Sequence, residues 1–155
     1  MKSLFGEEVY WLLSHDMDPT ATALADRHYS RRHPGARTGF MGPGEKIVLI
    51  SPGGDALFGW LYAKFRGDHI DGVNCTIFRN EGRVLSSTLI LEAERFATNK
   101  WPGKKLFTYV SKTRVKSPKP GWCFIKAGWR TVGENKTGDL ILLMKEPERR
   151  CSVND

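Results

Sequence analysis

Short apolar runs separated by turn residues recur along the 155-residue chain and limit the folds open to it. The runs have the length of strands, and several are rich in β-branched or aromatic residues. Turn chemistry, such as the Pro and Gly residues of 51–55, separates neighbouring runs as expected for hairpins. The sequence therefore predicts an α+β fold with a mixed, mostly antiparallel sheet flanked by helices. The predicted strands are 9–13, which should be buried, 46–50, 56–65, 73–78, 105–110, 131–132 and 140–144.

Three segments between these runs have helical features. Asp18 and Pro19 suit the N-cap and the first position of a helix that stops at 33–35, His-Pro-Gly. A second segment places apolar residues at helical spacing, and a third is a short helix that Gly128 can end. The predicted helices cover residues 19–29, 86–99 and 120–127.

Length and composition indicate one ordinary domain. We expect it to cover 1–155, with a polar tail from about residue 147. The N-terminus has two early acids and no long apolar stretch, and no run approaches the roughly 20 residues of a membrane span. Three widely spaced cysteines without a CxxC pair indicate a reducing compartment. We therefore expect a cytoplasmic protein with no membrane partner.

The stretch from Arg95 to Gly133 contains ten Lys or Arg residues and no Asp or Glu. Apolar residues recur through it, which is typical of folded structure rather than of a charged tail. The chain has a formal charge of +7, so one interpretation of the basic stretch is that it contacts nucleic acid. The other interpretation is a basic surface that contacts only solvent. Trp101, Trp122 and Trp129 can stack on a flipped base or fill the core, and the large area of a buried aromatic ring favours the core.

Two polar clusters have the residue types of a reactive site. In 26–33, His28, Tyr29 and Arg31 offer a proton shuttle, a phenol and a permanent cation. His28 and Tyr29 can equally pack at the end of the helix, with the arginines in solvent. In 78–87, a strand passes through a loop into a helix whose N-terminus can bind an anion. One serine there is expected to N-cap the helix, which does not exclude anion binding.

A third cluster joins Tyr109, at the end of a predicted strand, with the turn and short helix that follow Pro120. Cys123 lies there between two aromatic residues, where a free cysteine is more often a core residue than a nucleophile. No HxxxH or CxxC spacing occurs, so no metal site is predicted, although histidines can still meet in space.

The segments 75–97, 105–110 and 120–130 together resemble the later half of the GNAT acyltransferase fold. In that fold a strand splays away from its neighbour, and a short helix leads into a closing hairpin. With 25–31, Ala-Asp-Arg-His-Tyr-Ser-Arg, residues 8–146 look most like the Mom-type DNA-modification proteins of bacteriophages. That family has a GNAT-like fold and modifies adenine in phage DNA so that host restriction enzymes fail to cut. The resemblance implies a transferase acting on the exocyclic amine of adenine in double-stranded DNA, in the cytoplasm of a bacterial host.

The resemblance also implies roles for single residues. His28 and Tyr29 would bind or deprotonate the substrate, and Tyr109, the third catalytic candidate, would line the cleft. The strand-to-helix loop would hold the group donor, and cations would hold the DNA backbone. The residues expected at the donor site are Arg79, Asn80, Ser86 and Ser87. Those expected on DNA are Arg31, Arg32, Lys104, Lys105, Lys112, Arg114 and Lys116.

The strand-to-helix loop departs from the Q/R-x-x-G-x-G/A pattern with which GNAT enzymes bind the pyrophosphate of coenzyme A. It has one glycine, Gly82, followed by the bulky Val84 and Leu85, which makes close backbone approach harder. Use of acetyl-CoA is therefore in question, and the sequence names no other donor. Two alternatives stay open: an acetyl-CoA-dependent GNAT N-acetyltransferase on a small amine or protein, and a non-catalytic basic DNA-binding protein. The oligomeric state is open too, a homodimer included.

Overall fold

The computed structural model describes residues 8–28, 39–114 and 119–147, which form one seven-stranded sheet and three helices. No helix within these ranges is long and apolar enough to cross a membrane. The strands are β1 (Leu12–Ser14), β2 (Glu45–Ile50), β3 (Ala56–Tyr62), β4 (Gly72–Asn80), β5 (Lys105–Ser111), β6 (Arg130–Glu134) and β7 (Leu140–Lys145). The helices are α1 (Pro19–Asp26), α2 (Ser86–Lys100) and α3 (Trp122–Lys126).

All neighbouring strands pair antiparallel except one pair near the centre. The order across the sheet is β1-β2-β3-β4-β5-β7-β6. β4 and β5 run parallel and are joined through α2, because a parallel pair needs a crossover connection. The last hairpin joins the sheet through its second strand, with β7 between β5 and β6. The predicted α+β class, with a mixed and mostly antiparallel sheet, is confirmed.

Two hydrophobic clusters cover the two faces of the sheet. α2 and α3 pack on the larger cluster, in which Phe58, Trp60 and Ile90 are fully buried. The Trp60 indole N–H donates to the Ala93 carbonyl of α2 over 2.9 Å, so this buried polar group is satisfied. α1 packs on the smaller cluster through Leu24. β3 and β4 are therefore held between helices on both faces.

The start of α1 agrees with its prediction and the end does not. Asp18 caps the helix by accepting backbone hydrogen bonds from the first turn. The helix stops at Asp26, because the N–H groups of Arg27 and His28 bond to carbonyls three residues back and tighten the last turn. The rest of the predicted helix, with its expected stop at 33–35, lies outside the described residues.

The first strand differs most from its prediction. The run 9–13 predicts a buried strand, whereas β1 has three residues and lies at the edge of the sheet. Leu12 is 40% exposed and Leu13 is 70% exposed. Trp11 is buried, and its indole N–H donates to the Leu89 carbonyl over 2.9 Å. An apolar run does not reveal which of its side chains face the core, and here they are the buried Trp11 and the partly buried Tyr10.

The tryptophans of the basic stretch divide between core and surface. Trp101 and Trp129 are buried, as predicted. Trp122 is 46% exposed, and the Lys119 ammonium lies 4.8 Å from the centroid of its ring. The third predicted strand is also shorter than expected, because β3 ends before Phe65, which is almost fully exposed in the following loop.

Candidate active site

β4 and β5 separate near the centre of the sheet. Their pairing ends with Cys75 opposite Thr108, although β4 continues to Asn80 and β5 to Ser111. A cavity of about 310 Å³ lies between the diverging strands. Side chains that line this cavity include His28, Cys75, Tyr109, Cys123 and Phe124.

A β-bulge in β4 lies beside the cavity. Gly59 of β3 opposes Ile77 and Trp60 opposes Cys75, so Thr76 is an extra residue in β4. As a result, Cys75 belongs to the cluster under α2 and α3, whereas Ile77 belongs to the cluster under α1. The bulge therefore changes which face of the sheet successive β4 side chains reach, at the point where pairing with β5 stops.

The backbone of β4 beyond the bulge has no strand on its cavity side. The Glu81 N–H donates to the Asp55 carbonyl over 2.7 Å. This contact shows that Glu81 forms a hydrogen-bonded pair with its neighbour across the ladder. Because hydrogen-bonded and non-hydrogen-bonded pairs alternate along an antiparallel ladder, the backbone N–H and C=O groups of Ile77 and Arg79 also bond to β3. Phe78, between them, directs its N–H and C=O away from β3 and toward the cavity.

The backbone of β5 has the same arrangement on the opposite wall. The Lys112 N–H donates to the Asp139 carbonyl over 3.1 Å, which places the hydrogen-bonded pairs with β7 at 108, 110 and 112. Tyr109 therefore directs its backbone N–H and C=O toward β4. The last ladder pair, Cys75 with Thr108, uses the N–H, which bonds to the Cys75 carbonyl, so the Tyr109 C=O is the group left facing the cavity. Both walls of the cavity thus present backbone groups to an occupant, as the open edge of a sheet does.

His28 lines the cavity just after α1. Burial lowers the pKa of its imidazole to about 4, and the positive charge of Arg79 acts in the same direction. The backbone of Phe78 hydrogen-bonds the ring and acts in the opposite direction, as expected for a ring N–H that donates to a carbonyl. The imidazole is therefore neutral at pH 7 and a weak base. It suits hydrogen bonding to a substrate better than removing a proton from an ammonium group.

Tyr109 lines the same cavity from β5. Its hydroxyl donates to Asp68 Oδ2 in the β3–β4 loop over 3.0 Å. Burial, followed by this hydrogen bond to a carboxylate, raises the pKa of the phenol, so it keeps its proton at neutral pH. The structure thus brings together two of the three predicted catalytic residues. The third, Tyr29, lies outside the described residues.

Two of the predicted donor-site residues shape the strand-to-helix loop. The Arg79 guanidinium pairs with Glu81, and its Nη1 donates to the Arg27 carbonyl over 2.8 Å. Arg27 pairs with the same carboxylate at 2.8 Å, so Glu81 bridges two arginines and its pKa falls to about 2. Asn80 Nδ2 donates to the Val84 carbonyl over 2.7 Å, closing the loop on itself.

The N-terminus of α2 has no side-chain cap. The N-cap residue is Leu85, so the expectation that Ser86 or Ser87 caps the helix is wrong. The Ser86 hydroxyl instead accepts a hydrogen bond from Asn80 Nδ2 over 3.1 Å, and Ser87 is the second residue of the helix. Backbone N–H groups of the first turn remain without intrahelical partners, which favours an anion there. The loop glycine, Gly82, has a packing reason of its own, because a Cβ on it would lie 2.4 Å from Asp55 Oδ2.

The two described cysteines both line the cavity. Cys75 is buried, and burial raises the pKa of its thiol strongly. Cys123 is partly buried in α3, and burial raises its pKa as well. Neither is a ready nucleophile at neutral pH, since the thiolate is the reactive form. Among the described residues, no group of three or more His, Cys, Asp or Glu side chains could hold a metal ion.

Four of the residues predicted to bind DNA are described, and they lie near the two ends of β5. Lys104 and Lys105 lie at the start of β5, where it pairs with β4, whereas Lys112 and Arg114 follow its other end. The seven residue steps from Lys105 to Lys112 place these two pairs roughly 23 Å apart. Acids from other parts of the chain also reach the basic stretch, since Lys104 pairs with Asp71 at 2.8 Å and Lys112 pairs with Glu134. Arg31, Arg32 and Lys116 lie outside the described residues.

Solved structures of bacterial proteins, acyltransferases among them, share this architecture. The aminoglycoside 6'-N-acetyltransferase from Enterococcus faecium superposes with a TM-score of 0.60 at 13% identity, covering 92% of this chain and 99% of that one. ElaA from Escherichia coli gives 0.58 at 12% identity, covering 89% and 100%. An acyl-CoA N-acyltransferase from Pseudomonas aeruginosa gives 0.57 at 14% identity, covering 88% and 98%. The chain has a GNAT-like fold.

At such low identity the likeness concerns the fold alone. The sequence matches no protein-family profile and has no significant match among curated proteins. Nothing in these comparisons points to a DNA-modification protein, so the similarity to the Mom-type family stays a prediction.

Several residues at the site were not predicted from the sequence. Asp68 and Arg66 come from the β3–β4 loop, which shows no periodicity, and Glu81 was not set apart from its neighbours. Cys75 lies within a strand-like run and has no distinguishing context. A signal existed only for Glu81, because a lone acid among Arg79 and Arg83 invites an ion pair.

Proposed function

We propose that this protein is an acyl-CoA-dependent N-acyltransferase that acts on an amine. The observation that carries the proposal is the cavity between β4 and β5, whose walls present the backbone N–H and C=O of Phe78 and the C=O of Tyr109 with no strand opposite them. An extended molecule with amide groups satisfies such walls as an added strand would. The pantetheine arm of coenzyme A is a molecule of this kind. The GNAT-like fold supports the same assignment.

The described residues fit coenzyme A at both of its ends. The amide-bearing arm would lie against the backbones of Phe78 and Tyr109, and the phosphates near the uncapped N-terminus of α2. Arg79 and Arg27 carry two positive charges against the single negative charge of Glu81, so the loop keeps an excess positive charge. When bound, acyl-CoA would supply an acyl group activated as a thioester.

The side chains of the cavity suit a neutral amine. An N–H group needs acceptors, and at pH 7 both the His28 imidazole and the Tyr109 oxygen carry lone pairs. His28 accepts a proton only near pH 4, so it would hold the amine rather than deprotonate an ammonium ion. The amine would have to arrive neutral or lose its proton to water. The rate should therefore rise with pH over the range in which the amine becomes neutral.

Binding of acetyl-CoA tests the proposal directly. Isothermal titration should detect a complex with the wild-type protein, and Cys123→Trp should weaken it at least roughly 10-fold, because the larger ring fills the cavity. Ile125→Trp is the matched control, since Ile125 lies on the same helix and is 38% exposed. Turnover would then be measured with spermidine, kanamycin A and a peptide α-amine as candidate substrates, by detecting the released coenzyme A with chromatography. Absence of binding to the folded wild-type protein, or equal weakening by both substitutions, would contradict the proposal.

DNA adenine modification is a second candidate, and the position of His28 favours it. His28 belongs to the segment 25–31, on which the resemblance to the Mom-type proteins rests, and it lines the cavity. Lys112 and Arg114 follow β5 at the end where the cavity opens. Lys104 and Lys105 lie at the other end of the same strand.

Mass spectrometry of host-cell nucleosides separates the candidates. A modified adenine that appears with the wild-type protein and not with His28→Gln would support DNA modification. Unmodified adenine, together with acetyl-CoA turnover on a small amine, would support the proposed acyltransferase. A DNA-binding protein without activity would instead show salt-dependent affinity for DNA that His28→Gln leaves unchanged, with no product in either assay.

A further inference from the structure

Tyr109 begins a series of contacts that leads out of the cavity into the β3–β4 loop. Its hydroxyl donates to Asp68 Oδ2 over 3.0 Å. The Asp68 carboxylate accepts from Arg66 Nε at 2.9 Å and from Arg66 Nη2 at 2.8 Å. The Arg66 guanidinium lies 4.7 Å from the centroid of the Phe107 ring, two residues before Tyr109 on the same strand face. A bidentate ion pair stacked on a buried ring fixes the direction of the carboxylate.

This arrangement decides which atoms Tyr109 offers to the cavity. A hydroxyl has one donor, and that donor is committed to Asp68, so the oxygen presents lone pairs. Arg66 is the main cause of the low pKa of Asp68, about 2, so the carboxylate stays ionised at every working pH. The other titratable side chains that line the cavity are His28 after α1, Cys75 and Arg79 on β4, and Cys123 on α3.

We propose that Asp68 and Arg66 are positioning residues that hold Tyr109 as the hydrogen-bond acceptor for the N–H group of the amine substrate. The inference rests on the proposed acyl transfer and assigns the amine side of that site. A substrate fits if its reactive nitrogen reaches Tyr109 with an N–H to donate. Tyr109 touches the substrate, whereas Asp68 and Arg66 act through Tyr109.

The same loop supplies a matched control. Tyr62 donates to Asp71 Oδ1 over 3.1 Å, and Asp71 pairs with Lys104 at 2.8 Å. This group repeats the tyrosine, carboxylate and cation of the first, but Tyr62 does not line the cavity between β4 and β5. Asp71→Ala therefore removes an equivalent contact from the loop without changing what faces the substrate.

A double-mutant cycle separates positioning from a general structural role. With acetyl-CoA and the better substrate of spermidine and kanamycin A, Asp68→Ala and Tyr109→Phe should each raise the amine KM by roughly 10-fold. The KM for acetyl-CoA should stay constant. The double variant should be no worse than either single one, because Asp68 acts through Tyr109. Asp71→Ala should leave the amine KM unchanged. Multiplied effects in the double variant, or an equal effect of Asp71→Ala, would overturn the inference.

A titration without substrate keeps this test independent of turnover. With ¹³C-labelled tyrosine rings, the Tyr109 signal is the one missing from Tyr109→Phe, and in Asp68→Ala it should titrate at lower pH than in the wild-type protein. An unchanged Tyr109 titration would overturn the positioning role even if acyl transfer is established. Absence of acetyl-CoA binding, with the shifted titration present, would instead overturn the proposed function and leave the contact with Asp68 intact. Asp68→Asn, which removes the charge with little change of shape, replaces Asp68→Ala if the latter does not fold.

Discussion

Replacing His28 with Gln should make the protein less sensitive to acid. In the folded protein burial keeps the imidazole neutral down to about pH 4, whereas in the unfolded chain the imidazole has its ordinary pKa of 6.5. A group whose folded pKa is depressed in this way disfavours the folded state as the pH falls between the two values. From these two pKa values, His28 should lower the free energy of unfolding by roughly 2 kcal/mol between pH 8 and pH 5.

Urea unfolding of both proteins at pH 8 and pH 5 measures this contribution. Gln can still donate to the Phe78 carbonyl but cannot be protonated. The change in unfolding free energy from pH 8 to pH 5 is then compared between the two proteins, so the contributions of the other titrating groups cancel. The wild-type protein should lose roughly 2 kcal/mol more than His28→Gln on going from pH 8 to pH 5. An equal loss in the two proteins would refute the argument that the folded protein keeps the partly buried His28 imidazole neutral.

Two substitutions and one control substitution test the packing. Gly82→Ala should lower the free energy of unfolding by about 1 kcal/mol, since its Cβ would lie 2.4 Å from Asp55 Oδ2 and the carboxylate must move; an unchanged melting temperature would contradict this. Phe58→Ala removes a fully buried ring and should lower stability by about 3–5 kcal/mol, whereas Phe65→Ala, at a 97% exposed residue, should change it by less than about 0.5 kcal/mol. Chemical unfolding of both Phe variants checks the contrast, and similar losses would count against the assigned core.

Much of the strand and helix pattern could be predicted because it depends on local chemistry. β2, β4, β5 and β7 follow β-branched or aromatic runs, and α2 follows apolar residues at helical spacing. Asp18 and Pro19 mark the start of α1 for the same reason, since a cap needs only neighbouring residues. The exposed Leu13 shows the limit, because burial depends on what the rest of the chain places over a strand.

The site depends on contacts between distant residues, which local patterns do not encode. His28 and Tyr109 were singled out for their chemistry, and the cavity that they share needs the bulge at Thr76 and the end of pairing after Cys75. The bulge depends on a register between two strands, and register depends on the whole sheet. Asp68 meets Tyr109 from 41 residues away in sequence. The basic stretch looked uniform because the acids that pair with it come from outside it.

The incomplete pairing of β4 has a consequence for how the strand exchanges its amide hydrogens. Ile77 and Arg79 give their N–H groups to β3, whereas Phe78 directs its N–H toward the cavity. Protection against exchange in deuterated water should therefore alternate along a strand that appears continuous, with Phe78 exchanging faster than both neighbours. A ligand that bonds to the cavity side of β4 should slow exchange at Phe78 and change its neighbours little. The amide of this one residue can thus report, without any measurement of turnover, whether a compound occupies the space between the two strands.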